Sequence, residues 1–224
     1  MTLVSTIQTI WNGLDWSYLT NILLSVIPAL ICITLHELAH GVVAFWLGDT
    51  TAKDAGRLTL NPIKHLDLMG LLMMVVFRFG WAKPVPVNMY RFKNPKRGMA
   101  VTAVAGPLMN VLIAIVFLFL YGLLAKPLGA GNRLVQMVLI TAYLSLSFAV
   151  FNIIPISPLD GSKVLGAVLP ARQYDTLMRY ERYGMIVLLA LVATGVLGRP
   201  LSTVTQAVFD KLFIFAEWGY ELIG

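Results

Sequence analysis

Residues 32–47 read Cys32-Ile33-Thr34-Leu35-His36-Glu37-Leu38-Ala39-His40-Gly41-Val42-Val43-Ala44-Phe45-Trp46-Leu47, and the His36-Glu37-Leu38-Ala39-His40 run is the only charged or metal-ligating patch between about Ile22 and Leu47 apart from Cys32. Positions i and i+4 share one face of a helix, so His36 and His40 can grip one metal ion while Glu37 stands beside it. Ionisable side chains are expensive in hydrocarbon and mark function when they occur there. A zinc-protease pattern inside a bilayer span therefore implies peptide hydrolysis within the membrane.

The composition supports a membrane setting. The chain has 224 residues, of which 58% are hydrophobic and 12% charged, whereas soluble domains carry roughly 25% charged residues. The formal net charge is +6, but the basic residues gather in the gaps between apolar runs, as cytoplasmic loops do. No basic face interleaved with aromatics is visible, so nucleic acid is not an expected partner. Cys32 is the single cysteine, which excludes an internal disulfide and a cysteine-based zinc site. It is expected to be a small buried apolar residue. Residues 1–19 are expected to form an interfacial amphipathic helix. One membrane-embedded domain, 1–224, is expected overall, with a catalytic core over 20–163 and C-terminal helices over 164–224.

Runs at about 20–47, 99–124, 134–154 and 183–198 approach the roughly 20 residues needed to cross a hydrocarbon core of about 30 Å. The run 66–79 is shorter, bounded by Asp67 and Arg78, and reads as re-entrant. The stretch 201–222 carries Asp210, Lys211, Glu217 and Glu221 and reads either as an interfacial helix or as a poor final span. The expected fold class is an all-α polytopic membrane protein with about 4–6 membrane helices. Lys53, Arg57 and Lys64 lie before the re-entrant run. Arg78, Lys83, Arg91, Lys93, Lys96 and Arg97 lie after it, and Lys163, Arg172, Arg179 and Arg182 follow the third span. With 66–79 not crossing, all three basic stretches share one side, which the positive-inside rule makes cytoplasmic. The histidines and the end of the third span then meet at the same depth, toward the cytoplasm of the cell (inner or plasma) membrane.

A catalytic zinc usually has three protein ligands and an open position. His65 sits in a basic loop and is expected at the surface or interface. Asp160 is the better third ligand. It follows Asn152-Ile153-Ile154-Pro155-Ile156-Ser157-Pro158-Leu159, where two prolines break the third span and Gly161 permits a turn. Broken backbone at membrane depth survives only where protein or a water-filled cavity satisfies it. Taken alone, Asp160 could equally cap the next helix. Beside the histidine pair, metal ligation is favoured.

The histidine run and Asn152…Pro155…Pro158-Leu159-Asp160-Gly161 together resemble the site-2 protease family of intramembrane zinc metalloproteases. Gly106-Pro107-Leu108-Met109-Asn110 resembles its G-P-x-x-N element, and Gly80-Trp81-Ala82-Lys83-Pro84-Val85-Pro86-Val87 resembles its membrane-associated β-hairpin. No appended PDZ or CBS domain is visible. The resemblance implies one Zn2+ held by His36, His40 and Asp160, with Glu37 as general base toward water activated by the metal. It further implies that Asn152 holds the substrate backbone or the developing oxyanion, and that Asn110 supports the site. Asn152 could instead bond between helices. Pro84 and Pro86 remove N–H groups from one side of an extended segment, which leaves those of Val85 and Val87 free to take an unwound substrate by strand addition.

The function expected is an endopeptidase that cuts transmembrane protein or peptide substrates in the lipid bilayer near its cytoplasmic side, for regulated proteolysis or remnant clearance. A transporter would need a second line of intramembrane polar residues. A degenerate scaffold would be expected to have lost Glu37, His40 or Asp160. A soluble-type zincin would need a sizeable aqueous catalytic domain.

Overall fold

The computed structural model describes residues 16–70 and 81–223. Its elements are α-helical, in the order α1 (Trp16–Trp46), α2 (Thr51–Asp54), α3 (Pro95–Leu128), α4 (Arg133–Asn152), α5 (Asp160–Val168), α6 (Ala171–Ala193), α7 (Gly198–Leu212) and α8 (Ile214–Glu221). Short 3₁₀ turns cover Pro62–His65 and Met89–Arg91.

Among the described residues, three helices are long and apolar enough to cross a membrane: Leu24–Trp46 within α1, α3 and α4. A fourth arises only if Tyr183–Ala193 and Gly198–Glu221, bent by 85°, count as one span. Among the described residues the expected 4–6 spans are met, at four, only when the bent pair counts as one span. The physical reason is a break at Gly195, whose φ of 69° lies in the left-handed region that ends helices. The run 183–198 thus ends near Ala193, and the polar stretch after it continues as a second helical arm. That arm packs on the spanning helices. Phe209 stacks edge-on to Tyr143 of α4, Phe213 meets Tyr121 of α3, and Leu118, Ala142 and Ala216 share a buried core.

Polar capping fixes the ends of the long helices. Asn94 accepts from Arg97 N–H at the start of α3, where Pro95 follows without needing a donor, and Asn132 accepts from Leu134 N–H at the start of α4. α4 stops at Asn152 because Pro155 and Pro158 cannot continue its hydrogen bonding. The chain then turns tightly into α5. Gly161 is required here, since a Cβ would lie 2.5 Å from the Ile153 carbonyl carbon and 2.6 Å from the Ile154 oxygen.

No strand forms among the described residues. A single antiparallel bridge joins Leu66 to Ala82, and Lys83 N–H donates to the His65 carbonyl at 2.9 Å. The hairpin expected over Gly80–Val87 is thus reduced, over its described residues 81–87, to the bridge at Ala82. The re-entrant run 66–79 falls largely on residues 71–80, outside the described residues, as does most of the expected 1–19 interfacial helix. Trp16–Leu19 belong to α1.

Candidate metal centre

α1 carries His36 and His40 one turn apart, both buried, with rings perpendicular at a centroid separation of 4.6 Å. Their Nε2 atoms face each other at 3.0 Å. Asp160, the first residue of α5, brings Oδ2 to 3.1 Å from His40 Nε2 and 3.2 Å from His36 Nε2. Helix N-termini favour carboxylates, so the break that ends α4 also provides a place for this anion. Asp160 Oδ1 turns the other way, 3.5 Å from Lys163 Nζ.

Three atoms with lone pairs thus converge in a near-equilateral triangle. Such an arrangement is repulsive unless a cation or a shared proton lies among them. Tetrahedral ligands at about 2.0–2.1 Å from zinc stand about 3.3 Å from one another. The observed separations of 3.0–3.2 Å come close to that spacing. The donor set, two imidazoles and one carboxylate, suits zinc. Among the described residues, His36, His40 and Asp160 are the group of three that could hold a metal ion.

The surroundings fix the rings. His40 Nδ1 lies 2.7 Å from the Thr102 carbonyl, which can only accept, so Nδ1 carries a proton and Nε2 offers its lone pair. His36 Nδ1 lies 3.0 Å from Asn110 Nδ2, and Ser145 Oγ–H donates to the Asn110 carbonyl at 2.8 Å. α3 approaches both rings through Gly106, where a Cβ would lie 2.5 Å from His40 Cε1 and 2.6 Å from His36 Cε1. No side chain fits between this helix and the imidazoles. One turn before His36, Cys32 is fully buried, as expected, with Sγ 3.7 Å from the Thr141 carbonyl.

Glu37 faces the Lys83–Asn88 segment, where Val85 N–H donates to its Oε2 at 2.8 Å. This corrects the expectation that Val85 keeps a free N–H. Val87 N–H has no hydrogen-bond partner among the described residues. His65 departs from expectation too. It is fully buried, with Nε2 2.9 Å from the Thr59 carbonyl, and lies outside the donor triangle. Asn152 turns its amide back on its own helix, donating to Phe148 O at 2.9 Å, rather than toward the donors. The sequence reading missed Thr102 and the orienting contact of Lys163. Thr102 was legible only as the residue one turn before Gly106, and it acts through its carbonyl, which no residue type reveals.

The site geometry can be set beside known proteins. The profile of peptidase family M50 matches residues 126–196, which include Asn152 and Asp160. YwhC of Bacillus subtilis (strain 168), a candidate zinc metalloprotease by its name, is 41% identical over 176 residues, covering 75% of this chain and 80% of its own. Rip2 of Mycolicibacterium smegmatis, named in the same way, is 26% identical over 198 residues, covering 87% of this chain and 76% of its own. The Rip2 of Mycobacterium tuberculosis (strain H37Rv) is 29% identical over 187 residues, covering 81% and 71%. No solved structure matches the chain. A relative this similar over most of both lengths, joined to a two-histidine, one-carboxylate centre between membrane helices, places the chain in peptidase family M50, the site-2 protease family of membrane zinc metalloproteases.

Proposed function

We propose that the chain cleaves transmembrane segments of membrane proteins near the cytoplasmic side of the bilayer, with His36, His40 and Asp160 as metal ligands and Glu37 as general base. One observation carries the reading: the triangle of donor atoms at 3.0–3.2 Å, built on a helix able to span the membrane. His36, His40 and Asp160 would hold zinc, which would supply the Lewis acidity for activating water near neutral pH and polarising the scissile carbonyl.

The protein groups do the rest. Glu37 cannot join the triangle, because it projects about 100° around the helix from His36. It is placed to accept the proton from the attacking water and to deliver it to the departing amine nitrogen, the proton balance that amide hydrolysis requires. The bond from Val85 N–H holds Oε2, leaving Oε1 for that proton. Asn110 supports His36. With its NH2 toward the ring, Asn110 Oδ1 is buried without a partner. Turning the amide lets Oδ1 accept from His36 Nδ1–H, which is the arrangement that frees Nε2 for metal. Asn152, released from Phe148 O, would be available to a substrate carbonyl. Val87, with its free N–H, is the residue of the 83–87 segment that can still take a substrate strand. Cytoplasmic placement rests on the three basic stretches lying on one side.

The test is zinc content measured alongside cleavage of a model transmembrane peptide in detergent. Glu37→Gln is expected to keep about one zinc per chain and lose activity by roughly 10²–10⁴-fold. Asp160→Ala is expected to lose the metal. Full zinc in Asp160→Ala would move the third ligand elsewhere, and a zinc-loaded wild type that cleaves no membrane peptide would sink the peptidase reading.

A further inference from the structure

The residues between Lys83 and Arg91 form a strap over the catalytic helix, and its attachments are unusually complete. At one end, Arg57 Nη2 donates to the Lys83 carbonyl at 2.7 Å while Lys83 N–H donates to His65 O at 2.9 Å. In the middle, Val85 is buried and reaches α1 twice. Its N–H meets Glu37, and its Cγ1 lies where a Cβ on Gly41, one turn later, would come within 3.2 Å. At the far end, Asn88 N–H donates to Asp49 Oδ2 at 2.6 Å.

Asp49 has no use in the reaction as described, yet it is fully buried. It stands just past the C-terminus of α1, where the helix dipole disfavours an anion. The dipole of α1 therefore does not explain it, and the start of α2 occupies only its Oδ1. Its two oxygens divide their work. Oδ1 is engaged locally, accepting from Thr51 N–H at 3.0 Å and from the Thr51 hydroxyl. Oδ2 accepts from Asn88 N–H, 39 positions away. Arg91 closes the junction: its Nε is 4.0 Å from Asp49 Oδ1, and its Nη1 donates to Thr50 Oγ1 at 2.6 Å.

Resting on the reading of Glu37 as general base, we propose that Asp49 is a positioning residue for peptide hydrolysis, acting through the strap to hold Val85 N–H against Glu37. Val85 stands three residues from Asn88, about 10 Å of extended chain. Pinning Asn88 on Asp49 and Lys83 on Arg57 leaves Val85 little freedom. The base is then oriented by a backbone donor whose own position is set by a carboxylate nine residues beyond His40. The arrangement repeats the logic by which a catalytic base is aimed by a third group.

Asp49→Asn separates this role from a merely structural one. Its single oxygen can still serve Thr51, while its NH2 is turned toward the Asn88 N–H, so the local turn survives and the strap link does not. The expected result is a fall in kcat of about 10–100-fold for a transmembrane peptide, with KM within about threefold and zinc unchanged. Residue-resolved hydrogen exchange should show Val85 and Asn88 amides losing protection while those of Cys32–His40 and Asn110 keep theirs. Arg91→Gln, on a half-exposed side chain, should show the same pattern at about two- to fivefold in kcat and serves if Asp49→Asn does not fold. Wild-type protection at Val85, an unchanged kcat, or loss of zinc with protection lost throughout α1 would each overturn the proposal. The exchange readout needs no turnover, so it tests the anchor even if the peptidase reading fails.

Discussion

The two ends of α3 are packed by opposite means. Near Gly106 and Asn110 the helix meets α1 and α4 through polar groups: Thr102 O on His40, Asn110 on His36, Ser145 on Asn110 O, all buried. Near Gly122 it meets α8 through backbone contact and rings. Gly122 abuts the Ala216 backbone, Gly219 abuts that of Phe119, and Tyr121, Phe209 and Phe213 fill the flanks. Lipid tails are as apolar as the side chains they replace, so burial of hydrophobic surface does not drive helices together in a bilayer. Close approach at small residues and interhelical hydrogen bonds do. The first end uses hydrogen bonds because it must aim imidazoles. The second uses small residues because it has only to hold.

Glycine substitutions at the two ends should therefore fail differently. Gly106→Ala should act on the metal first. The atoms in its way are the imidazoles themselves, and displacing them is expected to lower zinc affinity by at least about 10–100-fold, read by competition with a chelator. Retained affinity would mean that α3 yields instead of the rings. Gly122→Val should act on stability. A Cβ there would lie 2.8 Å from Tyr220 N and 2.9 Å from the Ala216 carbonyl carbon, and backbone cannot rotate away. A loss of about 1–3 kcal/mol in detergent unfolding is expected, with zinc affinity unchanged in the folded fraction. If Gly122→Val stripped the metal, the two ends would be one cooperative unit.

The smallest expected effect is an absence of change. Burial pushes the Asp49 carboxyl up, but the Thr51 side chain, the Asn88 and Thr51 N–H groups and Arg91 together outweigh it and hold the group below its ordinary value. A depressed folded-state pKa gives stability that is present above the unfolded value of about 3.9 and is lost as pH falls through the folded one. Exchange protection at Val85 should therefore stay flat from pH 8 to pH 5. The Asn88 amide, which Asp49 holds directly, should stay flat as well, and a midpoint there inside that window would show that Asp49 is not the anchor.

The metal donors were legible because their chemistry lives in side chains. His36 and His40 announce themselves by spacing, and Asp160 by its place after two prolines in a greasy chain. Cys32 was legible as packing. What could not be read was chemistry carried by the backbone. Val85 matters through an N–H that every residue but proline owns, and Thr102 through a carbonyl that all residues own. His65 looked like a loop residue because its neighbours are basic, yet the fold buries it where its backbone oxygen receives the strap. The helical arm after Gly195 was ambiguous for another reason. Its polar residues resemble an interfacial helix, and only the partners of Phe209, Phe213 and Ala216 show that it packs against the spans.

The third donor enters the chain far from the other two, with 120 positions separating His40 from Asp160. During synthesis α1 reaches the membrane carrying His36, Glu37 and His40, but the third donor follows only after α3 and α4 have been made and the chain has turned into α5. A partly inserted chain therefore lacks a complete centre. The donor set is therefore completed late in biogenesis, and a chain that stalls before α5 holds only the two imidazoles.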